Sequence, residues 1–469
     1  MRIRLGMRRT SASMAGIAVA GLLVTAAVTA APAASATAAA PAAPAVGTGQ
    51  DRLKAEYFPE PGGEGRTVQV PADGHGQGEE GAGDRRTTAP LSASEAAVDG
   101  TAAGLAVTGS TDDRLDIVIV GDGYTAGQQG DFHADATAKW ADITAIEPYK
   151  SYQGLFNVWT VDAVSNESGI SGDPTADQVK DTALGSYFWC EGIERLICAD
   201  IDKVAAYAAK APAADLVVVV SNSTKYGGAG YSGLTDEGYP FNGVSTLSSD
   251  HASSSLIAAH EIGHSVGLLD DEYTYDSYGT WTGGEPAGIN STTYTPAQLT
   301  AKQAKWYRWL GRPDPTGGTV GTYEGSSYYP YGIFRPTGTS LMRELSSTEF
   351  NLPGREAMIA GFYRAGNALS STVGTESAVG SAQRLTVAVA ELGAIARPEL
   401  RWYVDGVEKA EARGRTTVTP AALGVRKDGR GHRVTATLVD RTDAVRDPAV
   451  RNLATDRITW TVAPGARLG

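Results

Sequence analysis

Apolar runs punctuated by helix-period stretches dominate the first two thirds of the chain. Residues 115–120 (LDIVIV), 156–164 (FNVWTVDAV) and 216–220 (LVVVV) are short and mostly apolar. Such runs suit strands buried on both faces. Residues 126–146 and 200–209 lie between them with helical spacing. Strands alternating with helices predict an α/β sheet domain, assigned here to residues 110–370. Upstream, residues 52–70 (RLKAEYFPEPGGEGRTVQV) read as two strands about a Pro-Gly-Gly turn. They are expected to form a small N-terminal β domain, with a polar Gly-rich connector reaching residue 95.

The pattern changes after residue 375. Residues 385–389, 399–404, 416–418, 432–439 and 457–462 alternate in polarity and are separated by turns. Val404-Asp405-Gly406 has hairpin chemistry. Residues 375–465 therefore predict an Ig-like antiparallel β-sandwich.

The first residues do not belong to this pattern. Arg2, Arg4, Arg8 and Arg9 precede an apolar, Ala-rich run, and Ala34-Ser35-Ala36 fits a small-x-small cleavage site. Residues 1–36 read as a secretory signal peptide, and residues 37–49 as an Ala/Pro linker. The mature chain is then expected outside the cell, without a membrane anchor. In such an oxidising setting Cys190 and Cys198, eight positions apart across a short turn, are expected to pair.

Charge narrows the partners. The chain of 469 residues carries a formal net charge of −13, and its first 36 residues hold four of the 40 basic side chains and no acid. A mature surface that acidic disfavours nucleic acid and anionic lipid. No segment implies an obligate oligomer, so a monomer is expected.

The chemistry concentrates in one helix. Residues 253–268 (SSSLIAAHEIGHSVGL) have serines for an N-cap and an apolar face of Leu256, Ile257, Ile262 and Val266. His260 and His264 stand at i and i+4, so both imidazoles leave one face. Glu261 completes H-E-x-x-H, in which two neutral imidazoles suit Zn²⁺ and the glutamate takes a proton from water. Gly267 is positioned to end the helix and turn the chain back. A catalytic zinc needs a third protein ligand and an open position. No histidine follows closely, since the six are His75, His133, His251, His260, His264 and His432. An aspartate is the natural third ligand. Asp270 sits where the longer H-E-x-x-H-x-x-G-x-x-H pattern places its last histidine, and Asp271 is one residue further. Met342, in Ser340-Leu341-Met342-Arg343, is the candidate for a methionine-containing turn below the metal.

These stretches resemble the IgA peptidase-like zinc metallopeptidases, a metzincin-like group. The resemblance is carried by GDGYTAGQQGDFHADA at 121–136, EPYKSYQGLFNVWTVDAVSNESGIS at 147–171 and SNSTKYGGAGY at 221–231. It continues in HEIGHSVGLLDDEY at 260–273, KWYRWL at 305–310 and GTYEGSSYYPYGIFRPTGTSLMRE at 321–344. It implies His260 and His264 as zinc ligands, Glu261 as the catalytic glutamate and Met342 as the Met-turn. The family's Asp-Glu-Tyr falls on Asp271-Glu272-Tyr273, which favours Asp271 as third ligand, whereas metzincin spacing favours Asp270. Both stay candidates, with Asp271 preferred. In some metzincins a tyrosine two residues after the turn methionine steadies the oxyanion; here that position is Glu344, leaving Tyr226, Tyr328 and Tyr329 as candidates. Residues 221–230, a strand running into Tyr226-Gly227-Gly228, are expected to form the sheet edge over a protein or peptide substrate. The implied activity is a secreted zinc endopeptidase. The competing readings are a shorter snapalysin-like enzyme, or a degenerate metallopeptidase domain acting as an extracellular binding module.

Overall fold

The computed structural model describes residues 52–73 and 90–464. The expected signal peptide, the Ala/Pro linker and most of the Gly-rich connector lie outside the described residues. Eight strands make the central sheet: β1 (Arg52–Tyr57), β2 (Arg66–Pro71), β3 (Ala102–Val107), β4 (Leu115–Asp122), β5 (Phe156–Val161), β6 (Leu216–Ser221), β7 (Gly228–Ser232) and β8 (Gly243–Ser248). Their spatial order is β2-β1-β7-β8-β6-β4-β5-β3. The middle strands β8, β6, β4 and β5 run parallel. They include the three strands expected from their apolar runs, and β4 and β6 are buried along their whole length. The edges β7, β1, β2 and β3 pair antiparallel.

The N-terminal segment departs from expectation. It does form a hairpin about its Pro-Gly-Gly turn, but not a separate β domain. β1 joins the central sheet beside β7, because its apolar residues Leu53, Ala55 and Tyr57 bury against Val70, Ala229 and Tyr231 in the core on that face of the sheet.

Helices cover the sheet. On one face lie α1 (Gln129–Ile143), α3 (Ser255–Gly267) and α4 (Leu352–Ala365), joined in one core by Phe132, Ile143, Ile257, Ile262, Met358 and Phe362. On the other, α2 (Ile201–Ala208) packs Ile201 and Val204 beside the Cys190–Cys198 disulfide.

Beyond the sheet, a short hairpin of β9 (Tyr323–Ser326) and β10 (Tyr329–Arg335) lies over the loop after α3. The C-terminal strands follow: β11 (Leu369–Ser370), β12 (Leu385–Thr386), β13 (Ala388–Val389), β14 (Pro398–Val404), β15 (Val407–Glu408), β16 (Thr417–Val418), β17 (His432–Asp440) and β18 (Thr455–Val462). β15-β14-β17-β18 is one antiparallel sheet, and β11-β13 and β12-β16 are two further ladders of two strands each. Asp405 and Gly406 turn β14 into β15, both at positive φ.

This layer is not separated from the rest by a polar boundary. Trp402 and Trp460 belong to the same buried cluster as α3 and α4. Asp440, 1% exposed, accepts hydrogen bonds from the Tyr152 hydroxyl (2.6 Å), the Tyr363 hydroxyl (3.2 Å), and the amides of Arg397 (2.7 Å) and Thr442 (3.0 Å). Removing a carboxylate on which four donors converge costs each of them that bond in a largely buried setting. Asp440→Ala is expected to cost about 2–3 kcal/mol in urea unfolding. It is expected to shift one transition that includes both layers; a separate early transition of the C-terminal layer would show that the layers fold independently.

Candidate metal centre

α3 is buried on nearly every side, and that is why its polar side chains are conspicuous. His260 and His264, one turn apart, bring their Nε2 atoms to 3.0 Å. Each ring is fixed from behind. His260 Nδ1 donates to the carbonyl of Leu341 (2.8 Å), and His264 Nδ1 donates to that of Leu269 (2.6 Å). A carbonyl only accepts, so each Nδ1 carries a proton, and in the neutral ring Nε2 is the bare nitrogen turned inward. This is the tautomer a metal requires.

Two facing lone pairs at that distance repel unless a cation stands between them. Two carboxylates complete the demand. Asp271 Oδ1 lies 3.2 Å from His260 Nε2 and 3.1 Å from His264 Nε2. Glu56 Oε1 lies 3.2 Å from His260 Nε2, and its Oε2 3.2 Å from His264 Nε2. One ligand atom from each of the four lies within 4.8 Å of every other. Two nitrogens and two oxygens at this spacing fit one divalent ion of the zinc type.

The local chain explains these positions. α3 ends at Gly267, as expected, but the left-handed residue that reverses the chain is Leu268, at φ 54°. The expected serine cap makes no side-chain hydrogen bond at Ser254. After the reversal, Asp271 points into the centre and Asp270 away from it. The Asp270 amide is held by Asn290 (2.8 Å), and its carboxylate lies 3.4 Å from the Ser327 hydroxyl. Asp271 Oδ2 is fixed by the Tyr328 hydroxyl at 2.5 Å. The neighbouring Glu272 is wholly buried and accepts from Asn290 (2.9 Å), Asn351 (2.9 Å) and Ser340 (2.6 Å). It clamps this loop to the Met342 turn, whose carbonyl also takes the Glu272 amide (2.8 Å). Met342 is buried beneath α3, where Gly263 leaves room for its sulfur.

Glu261 sits beside the cluster, 3% exposed, with Oε1 lacking a hydrogen-bond partner among the described residues. Burial, reinforced by Glu56, raises its carboxyl to about 8. Burial pushes His260 the other way, but Glu56 and Asp271 outweigh it and lift the ring to about 10. Burial likewise opposes the charge on Asp271, yet the two imidazoles hold it well below the usual carboxylate range. The centre thus attracts positive charge strongly.

Not all expected residues meet here. Tyr226 is buried, its hydroxyl 3.4 Å from the Glu60 carbonyl, so it is no free cleft residue. Gly227 packs on Arg195 and Phe188, and Gly228 on Thr246 and Ile257. The glycine that matters at the site is Gly230: a Cβ there would lie 1.7 Å from the Glu261 carboxyl carbon. Of the three candidate tyrosines, Tyr328 alone touches the four-residue cluster; Tyr329 packs on Tyr278 and Trp281. Glu344 accepts from Thr339 instead (2.6 Å). Glu56 was missed. Its sequence signal is slight: an acid between Ala55 and Tyr57 in a short strand, two positions before Phe58 begins the turn region.

A buried donor set on a helix below a mixed sheet, with a carboxylate poised alongside, defines a metal-dependent hydrolase. The family model for IgA peptidase M64 matches residues 104–317 and 310–362. These spans cover more than half of the chain, and the protein belongs to that family of metallopeptidases. No curated protein matches the chain.

With zinc as probe, Asp271→Ala is expected to weaken binding by more than about a hundredfold, and Tyr328→Phe by about tenfold through the freed Oδ2. Asp270→Ala is expected to keep its metal. Titration against a chromogenic chelator reads all three; zinc loss in Asp270→Ala with retention in Asp271→Ala would reverse the assignment.

Proposed function

We propose that the protein is a secreted zinc endopeptidase that hydrolyses peptide bonds by glutamate-assisted attack of water. The observation that carries this reading is the pair of inward Nε2 atoms fixed by backbone carbonyls, with the unpartnered Oε1 of Glu261 beside them. His260, His264 and Asp271 would hold the ion. When bound, zinc supplies Lewis acidity that sharpens both the water and the scissile carbonyl.

The rest falls to the chain's own groups. Glu261 accepts a proton from the attacking water as the water oxygen bonds to the carbonyl carbon. It then returns that proton to the amine as the C–N bond breaks, so the glutamate ends as it began. Its burial, which raises the carboxyl above its ordinary value, favours holding the proton between the two steps. Gly230 lets the carboxylate stand against β7, where an extended substrate would lie. The basic start, the Ala-rich run and Ala34-Ser35-Ala36 support export, and the Cys190–Cys198 disulfide suits an oxidising compartment. The substrate is a protein or peptide, cleaved by a monomer.

Glu261→Gln tests the mechanism. The variant is expected to bind about one zinc per chain, as wild type does, and to lose about 10²–10⁴-fold of casein turnover. Chelation should abolish the wild-type turnover. Turnover of the variant near that of wild type would overturn the role of Glu261, and a chain without zinc would overturn the reading as a whole.

A further inference from the structure

The centre has one protein ligand too many for a catalyst. A catalytic zinc keeps three protein ligands and an open position for water; four close it. The fourth here is Glu56, and it comes from β1, upstream of the matched peptidase span that begins at residue 104. β1 also lies where a substrate would. Without it β7 would be a free sheet edge next to Glu261, and such edges take extended peptides by main-chain pairing. β1 runs antiparallel to β7 with Glu56 opposite Gly230, the glycine under the Glu261 carboxylate.

The hairpin is strapped over the site by side chains. Phe58 meets the His260 ring edge-on at 5.0 Å. Tyr273 donates to Glu56 Oε1 at 2.9 Å, and Lys54 Nζ to the Tyr328 hydroxyl at 2.7 Å. At the turn, the amides of Leu345 and Ser346 donate to the carbonyls of Gly63 (3.0 Å) and Gly62 (3.1 Å). Main-chain pairing to the sheet is sparse by comparison. β1 and β2 share a ladder of six residue pairs, whereas β1 and β7 share one. The hairpin's main-chain pairing is therefore denser within itself than to β7.

We propose that residues 52–71 form a built-in inhibitor. β1 fills the antiparallel position of an extended peptide substrate along β7, and the Glu56 carboxylate takes the coordination position that water must occupy. The same geometry assigns the substrate its place: an unfolded, extended segment paired to β7 across Gly230. This rests on the zinc-peptidase reading, and the experiment keeps the two apart.

The full chain is compared with Glu56→Ala, and with Glu56→Gln as the variant that keeps side-chain volume should alanine fail to fold. Zinc content, casein turnover and binding of acetohydroxamate, a small bidentate zinc ligand, are measured on each. About one zinc per chain is expected throughout. The variants are expected to bind acetohydroxamate about tenfold or more tightly than wild type, and to turn over casein about tenfold or more faster. Equal hydroxamate affinity and equal turnover in wild type and variants would overturn the inhibitor while leaving a peptidase. Loss of zinc from both variants would overturn it too, making Glu56 an obligatory ligand. Absence of zinc from wild type and variants alike would overturn the peptidase reading beneath it.

Discussion

Two imidazole nitrogens meet at 3.0 Å in a site that water scarcely reaches, and the architecture around them is organised to make that encounter tolerable. Left neutral, the rings repel through their lone pairs. Left charged, they carry two cations into the interior, where removing even one ion from water costs several kcal/mol. Asp271 and Glu56 answer the second problem, a divalent ion answers both. The carboxylates are in turn unfavourable without the imidazoles, so all four side chains depend on one another. The case for a metal site follows from this mutual dependence more than from any one residue.

Holding that set in register falls to groups that never touch the ion. The Leu341 and Leu269 carbonyls choose the tautomer, Tyr328 orients Asp271, and Glu272 locks the loop to the Met342 turn through Asn290, Asn351 and Ser340. Glu272 shows how far the arrangement goes. Burial raises its carboxyl, and hydrogen bonds from those three partners work against that rise. An acid placed in the core to fasten two loops is costly unless nearly every lone pair is used. Here that cost secures the direction in which Asp271 points.

Much of this was legible in the chain. The apolar runs gave the parallel strands because a strand buried on both faces has no polar positions to spare. H-E-x-x-H placed both imidazoles and the glutamate because helical spacing alone determines their common face. Asp270 and Asp271 were harder to separate, since one residue of difference depends on how the chain leaves the helix. That exit is made by Leu268 in a left-handed conformation which few sequences advertise. β3 and β8 were not foreseen, being short and rich in small or polar residues, and β7 was foreseen only as part of a sheet edge over residues 221–230. Tyr226, Gly227 and Gly228 drew attention as a turn, whereas the functional glycine, Gly230, owes its role to a side chain 31 positions away. Glu56 was the least accessible. Its role depends on a pairing between β1 and β7 across 174 positions, and local pattern carries no record of such pairing.

That long-range pairing also explains why a hairpin can sit over a catalytic centre without being part of it. A strand added at a sheet edge satisfies the backbone groups of β7 and removes an exposed edge that would otherwise invite other chains. Burying Leu53, Ala55 and Tyr57 adds apolar contact, and the carboxylate at position 56 completes the charge balance of the cluster. An extended peptide could supply the main-chain pairing and the apolar contact, and a water could take the place at the ion without the charge of Glu56. The hairpin therefore competes on the same terms as a substrate, with the advantage of being tethered. A tethered competitor acts at an effective concentration set by its connection and not by solution, so weak contacts suffice to keep it in place. Severing or displacing the tether would surrender that advantage at once, and the site would pass to untethered chains with no change in the catalytic groups themselves.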